Sequence, residues 1–97
     1  MKKVTMAQLE QMQDRLVSVF LKNGGSVFVK ITFKNEQDAW GFYIDKKRED
    51  RNAQLAWAGK AVIIGYGTEY DYTPYTIYYD LQNAVNAYNP TKMNVIQ

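Results

Sequence analysis

The 97 residues contain no histidine and no cysteine. Without imidazole the chain lacks the usual proton shuttle near neutral pH, and without thiols it lacks thiolate nucleophiles, disulfides and N/S metal ligands. No stretch approaches the roughly 20 apolar residues that span a bilayer. The start, MKKVTMAQLEQMQD, turns polar after its basic residues and has no apolar core of a secretory signal. A soluble, cytoplasmic protein is the expectation. Hydrophobic residues make up 46% of the chain, enough for one domain, residues 1–97, with one core and no need of a metal or disulfide.

What the chain has in surplus is tyrosine. Six of its eight tyrosines fall between Gly65 and Asp80, in GYGTEYDYTPYTIYYD. Large, stiff, amphipathic rings suit cores and binding faces alike. Net charge is +2, unevenly spread: residues 1–60 carry eleven Lys/Arg against seven Asp/Glu, and residues 61–97 one against three. The tyrosine-rich half is therefore acidic, which argues against rings stacking on bases beside a phosphate-tracking groove.

Periodicity implies an α+β fold: a small antiparallel sheet of three or four strands with an N-terminal and a C-terminal helix packed on it. Leu9, Met12, Leu16 and Phe20 recur at helical spacing over Val4–Asn23. Thr5 and Gln8 make a capping box, and Asn23-Gly24-Gly25 supplies a left-handed stop. From Ser26 to Lys34 the period changes to two, predicting a strand. Asn35-Glu36-Gln37-Asp38 reads as a turn into a second strand over Trp40, Phe42 and Ile44, paired as a hairpin. Asp45–Asn52 is a polar break. Gln54–Ala58 and Ala61–Tyr66 flank Gly59-Lys60 as a second hairpin, residues 53–58 being open to a helical alternative. Thr73-Pro74 opens the last helix and Asn89-Pro90 ends it, while Met93–Ile96 can add an edge strand. The order is α-β-β-(β-β)-α.

This order without the fourth strand is that of double-stranded-RNA-binding domains, which carry a lysine-rich start to their second helix and a histidine in the first hairpin loop. Here TPYTIYYDLQNAVNAYNP has no basic residue and the loop is Lys34–Asp38. Phosphate contacts dominate affinity in such modules, so the likeness stops at topology.

Three groups of residues carry functional readings. Helical spacing pairs Tyr75 with Tyr79, and strand alternation pairs Tyr70 with Tyr72, giving four anchors for a protein partner or for self-association as a homodimer. Tyr78 points instead toward the Leu81–Val85 stripe. Lys46, Lys47, Arg48 and Arg51, with Lys30 and Lys34 on an outer strand face, form the alternative, a nucleic-acid-binding set. The acids interspersed at Asp45, Glu49 and Asp50 make a solvated turn the simpler reading of that run. Glu69, Asp71 and Asp80 supply oxygen ligands of the kind Mg²⁺ takes, but no spacing demands a site. Gly24-Gly25 follows a helix and GYG lacks a following GK[ST], so neither is a phosphate loop and no cofactor is implied. The expectation is a non-enzymatic interaction protein. Small lone domains without catalytic equipment often serve as accessory or inhibitory factors, many of them encoded by phages and mobile elements.

Overall fold

A computed structural model describes residues 3–96; Met1 and Lys2 of the basic start, and Gln97, lie outside the described residues. The N-terminal helix is stepped, α1 (Met6–Gln11) and α2 (Gln13–Lys22) meeting at Met12. The Thr5 side chain accepts from the Gln8 N–H at 3.1 Å and the Gln8 side chain accepts from the Thr5 N–H at 2.9 Å. Both otherwise orphaned donors are thereby satisfied. Leu9, Leu16 and Phe20 are buried. Gly24 (φ +73°) and Gly25 (φ +104°) turn the chain out of α2, a conformation that side chains with a Cβ resist.

Strand β1 (Ser26–Thr32) follows, with Val27, Val29 and Ile31 buried and Phe28 and Lys30 exposed. The next element corrects the sequence reading. Glu36–Glu49, expected to hold a turn, a strand and the start of a polar break, is one helix, α3. Asn35 is its N-cap, accepting from the Asp38 N–H at 2.8 Å. Glu36 and Asp38 sit in the first turn, and Lys46, Lys47 and Arg48 in the last, so charge of each sign meets the favourable end of the helix dipole. The alternation of Trp40, Phe42 and Ile44 was coincidental. Ala39 and Phe42, three apart, are buried, while Trp40 is exposed.

The hairpin of β2 (Gln54–Ala58) and β3 (Ala61–Gly67) is as the sequence implies, its two-residue loop opening on Gly59 at φ +61°. A 3₁₀ turn (Thr68–Tyr70) leads to α4 (Pro74–Tyr88), capped by Thr73 and ended by Asn89 at φ +50°. The tail forms β4 (Lys92–Val95), so the fourth strand lies there and not at residues 40–44. Strand order is β2-β3-β1-β4, antiparallel throughout.

Antiparallel neighbours make β1 parallel to β2 across β3, and β3 parallel to β4 across β1. β1-α3-β2 and β3-α4-β4 are thus two interlocked split β-α-β units, the ferredoxin-like arrangement, preceded by the α1–α2 helix. All helices cover one face of the sheet. The shortest extent, 19 Å, is that of one sheet and one helix layer. Val27, Val29 and Ile31 of β1 face the same way as their partners Tyr66, Ile64 and Val62 of β3, and this row packs against Leu16, Phe20, Phe42, Ile77 and Leu81 in one core. The other face is bare, and there Phe28 lies over Gly65. A Cβ at Gly65 would sit 2.7 Å from the Phe28 ring, so this glycine seats an aromatic within a strand.

Among the described residues no helix is long and apolar enough to cross a membrane.

Candidate functional site

Tyr75 and Tyr79 lie one turn apart on α4, on the side away from Ile77, Leu81 and Val85. They are 65% and 48% exposed, values that place both rings on the surface. Their centroids are 4.8 Å apart at 81°, edge to face, and their hydroxyls are 3.0 Å from each other. The hydrogen bond to Tyr79 raises the Tyr75 phenol pKa. Tyr70, in the 3₁₀ turn, is also exposed and takes the Gln54 side-chain amide at 3.4 Å. Tyr72 behaves differently. It is half-buried, edge-on to Tyr66 at 4.9 Å, and burial with the nearby Asp80 carboxylate raises its pKa. Tyr78 is half-buried against the core.

Asp80, on the same helix, is a structural hub. One carboxylate oxygen accepts from the Lys46 ammonium of α3, and the other accepts from the Tyr66 hydroxyl of β3 at 2.6 Å. Tyr66 is buried, and desolvation together with the Asp80 charge pushes its pKa well above 10.0. Eight residues on, Tyr88 stacks edge-on over Phe42 at 5.0 Å and donates to Asp45 at 2.7 Å, and burial and this carboxylate push its pKa up to about 12. Two tyrosine–carboxylate contacts therefore hold α4, one to β3 through Tyr66 and Asp80 and one to α3 through Tyr88 and Asp45. Both phenols are held protonated, the state of a hydrogen-bond donor and not of a base or nucleophile. Glu69 and Asp71 do not join Asp80: among the described residues no three His, Cys, Asp or Glu side chains converge as metal ligands would.

The basic set is dispersed. Lys30 is on the bare sheet face, and Lys34 lies 3.9 Å from Asp38 at the start of α3. Lys46 is committed to Asp80, with Glu49 at 3.7 Å. Lys47 donates to the Ala53 carbonyl at 2.8 Å. Arg48 and Arg51 project into solvent at the far end of α3, roughly 20 Å from Lys34 along a 14-residue helix.

A second exposed aromatic group went unseen in the sequence. Trp40 of α3 meets Trp57 of β2 edge-on at 4.9 Å and stacks on Tyr43 at 5.6 Å. The Trp57 indole N–H donates to the Gly59 carbonyl at 2.8 Å, which fixes the ring along the sheet edge. Glu36 and Gln37 complete a shallow depression with the two tryptophans. The available signal was the i, i+3 spacing of Trp40 and Tyr43, which emerges once Asn35 is read as a helix cap.

The chain matches no protein-family model, no curated protein and no solved structure.

Proposed function

We propose that the chain is a non-enzymatic interaction protein that binds a protein partner through its tyrosine-rich surface. Tyr75 and Tyr79 are the anchors, Tyr70 adds contact area, and Tyr72 acts mainly by supporting the segment from within. The observation that carries this reading is the exposed, mutually ordered Tyr75–Tyr79 pair. Two large rings already held by each other lose little rotamer freedom on binding, and their hydroxyls can exchange one hydrogen bond for others. Such aromatic anchors concentrate binding energy at interfaces. An accessory or inhibitory role fits a domain whose polar networks are spent on packing and whose ring surface is free.

The nucleic-acid alternative draws less support, since Lys46 and Lys47 have partners within the fold and the other cations are spread over several elements. The discriminating experiment is affinity capture with wild type and with the Tyr75→Ala/Tyr79→Ala variant, scored against a Lys30/Lys34/Arg48/Arg51→Ser variant. Loss of a specific protein partner with the tyrosine variant alone supports the reading. Salt-sensitive nucleic-acid binding lost with the cation variant, and no effect of the tyrosines, would overturn it.

A further inference from the structure

Natural sheets blunt their edges with charge, proline, bulges or covering elements. Strand β2 has no charge, proline or bulge of its own. Its five residues, Gln54-Leu55-Ala56-Trp57-Ala58, carry no charge and no proline, and they pair with β3 in unbroken register. The β4 edge, by contrast, carries Lys92 beside Pro90. A two-residue loop with glycine first at φ +61° closes β2–β3 on the pair Ala58–Ala61. Counting back along an antiparallel ladder, Gln54, Ala56 and Ala58 direct their backbone groups to β3, and Leu55 and Trp57 direct theirs outward.

We propose that β2 pairs antiparallel with β2 of a second copy of this chain, about a two-fold axis at Ala56, to form a continuous eight-stranded sheet. The register follows from the strand's own symmetry. Leu55 of each copy lies opposite Trp57 of the other, so the outward N–H and C=O groups of both residues are satisfied. On the bare face Ala56 meets Ala56, and Gln54 meets Ala58, without steric conflict or like charges.

The flanking helix decides in favour of a second copy over an unrelated strand. α3 runs antiparallel to β2: Glu36 lies beside Gly59 at one end, and Lys47 reaches Ala53 at the other. A two-fold axis therefore brings each Glu36 toward Lys47 of the other copy, an acid to a base on both sides of the axis. Between them the Trp40–Trp57 clusters of the two copies become neighbours. This isologous contact is closed, so it ends at a dimer. It does not involve Tyr75 or Tyr79.

The test uses the whole chain. Trp40 and Trp57 are its two tryptophans and both line this edge, so their emission should change with protein concentration in step with the dimer fraction from analytical ultracentrifugation. Ala56 is exposed, so Ala56→Lys and Ala56→Glu should each fold as wild type by circular dichroism. Each alone places like charges opposite one another and should weaken the dimer about tenfold or more. Mixing the two variants should restore it as a heterodimer, while Tyr75→Ala/Tyr79→Ala should leave it unchanged. A wild type that stays monomeric at every concentration overturns the proposal. So does a dimer indifferent to both Ala56 variants, or one the mixture fails to restore.

Discussion

The contact between Lys46 and Asp80 ties α3 to α4, and its removal should be felt by the whole fold. The lysine side chain is 13% exposed and the aspartate 20%. That position lies between two regimes: a solvent-exposed pair contributes about 0–1 kcal/mol, whereas breaking a buried one costs about 3–5. Lys46→Met leaves Asp80 with the Tyr66 hydroxyl as its remaining hydrogen-bond donor and should cost about 2 kcal/mol. Asp80→Leu is worse, because it orphans the buried Tyr66 hydroxyl and leaves the Lys46 ammonium, 13% exposed, with only the exposed Glu49 carboxylate at 3.7 Å. An orphaned buried polar group alone costs about 1–3 kcal/mol, so the total should reach about 3–4. In the double variant no unpaired charge remains and two apolar side chains can pack together. Its cost should fall short of the sum of the singles by about 2 kcal/mol.

Urea melts at neutral pH, followed by tryptophan emission and circular dichroism together, give the three free energies. Repeating them at high salt separates a covered pair, little affected, from a screened surface pair. Single variants that each cost less than about 0.5 kcal/mol, or strictly additive costs, would refute the claim that Asp80 organises this corner of the fold.

The remaining predictions are read in the same melts. Leu16→Ala or Phe20→Ala should cost about 2–5 kcal/mol, since both side chains are buried under α2, and a change under about 0.5 would remove that helix from the core. Tyr75→Ala/Tyr79→Ala should melt close to wild type, since both rings are exposed, whereas half-buried Tyr78→Ala should cost more than that double variant. Stability should fall as pH rises above about 10, because the unfolded phenols ionise there while Tyr88, at about 12, and Tyr66, raised well above 10.0, stay protonated in the fold. Tyr66→Phe and Tyr88→Phe should each flatten that alkaline slope, and an unchanged slope in both would disprove its assignment to these phenols.

Local signals in the sequence were decisive wherever one element settles its own conformation. The Thr5–Gln8 box, the Gly24-Gly25 stop, the alternation of β1, the Gly59-Lys60 hairpin and the Thr73-Pro74 start each depend on neighbours within a few residues, and each appears as the pattern implies. Residues 36–49 went the other way because two local codes conflicted. Three apolar residues at period two outweighed a cap, an acidic first turn and a basic last turn. Burial shows which code had physical force: among those three, Phe42 alone reaches the core, and it does so with Ala39 at helical spacing.

The site divides along the same line. Helical spacing placed Tyr75 and Tyr79 together, because a pair on one turn of one helix is a local fact. The strand pairing of Tyr70 with Tyr72 failed because a 3₁₀ turn and Asp71 at φ +65° intervene, sending one ring outward and the other against Tyr66. Asp80 was legible as an acid but not as a hub, since its partners come from α3 and β3, 34 and 14 residues away. The same long-range contacts change the meaning of the basic run. Lys46 and Lys47, which look like free cations in sequence, hold the fold together. Trp40 and Trp57, seventeen residues apart, become one surface feature only when α3 lies along the β2 edge. Surfaces assembled across elements are therefore where the structure adds most, and both interaction faces proposed for this chain can be separated by substitutions at Ala56 and at Tyr75 with Tyr79.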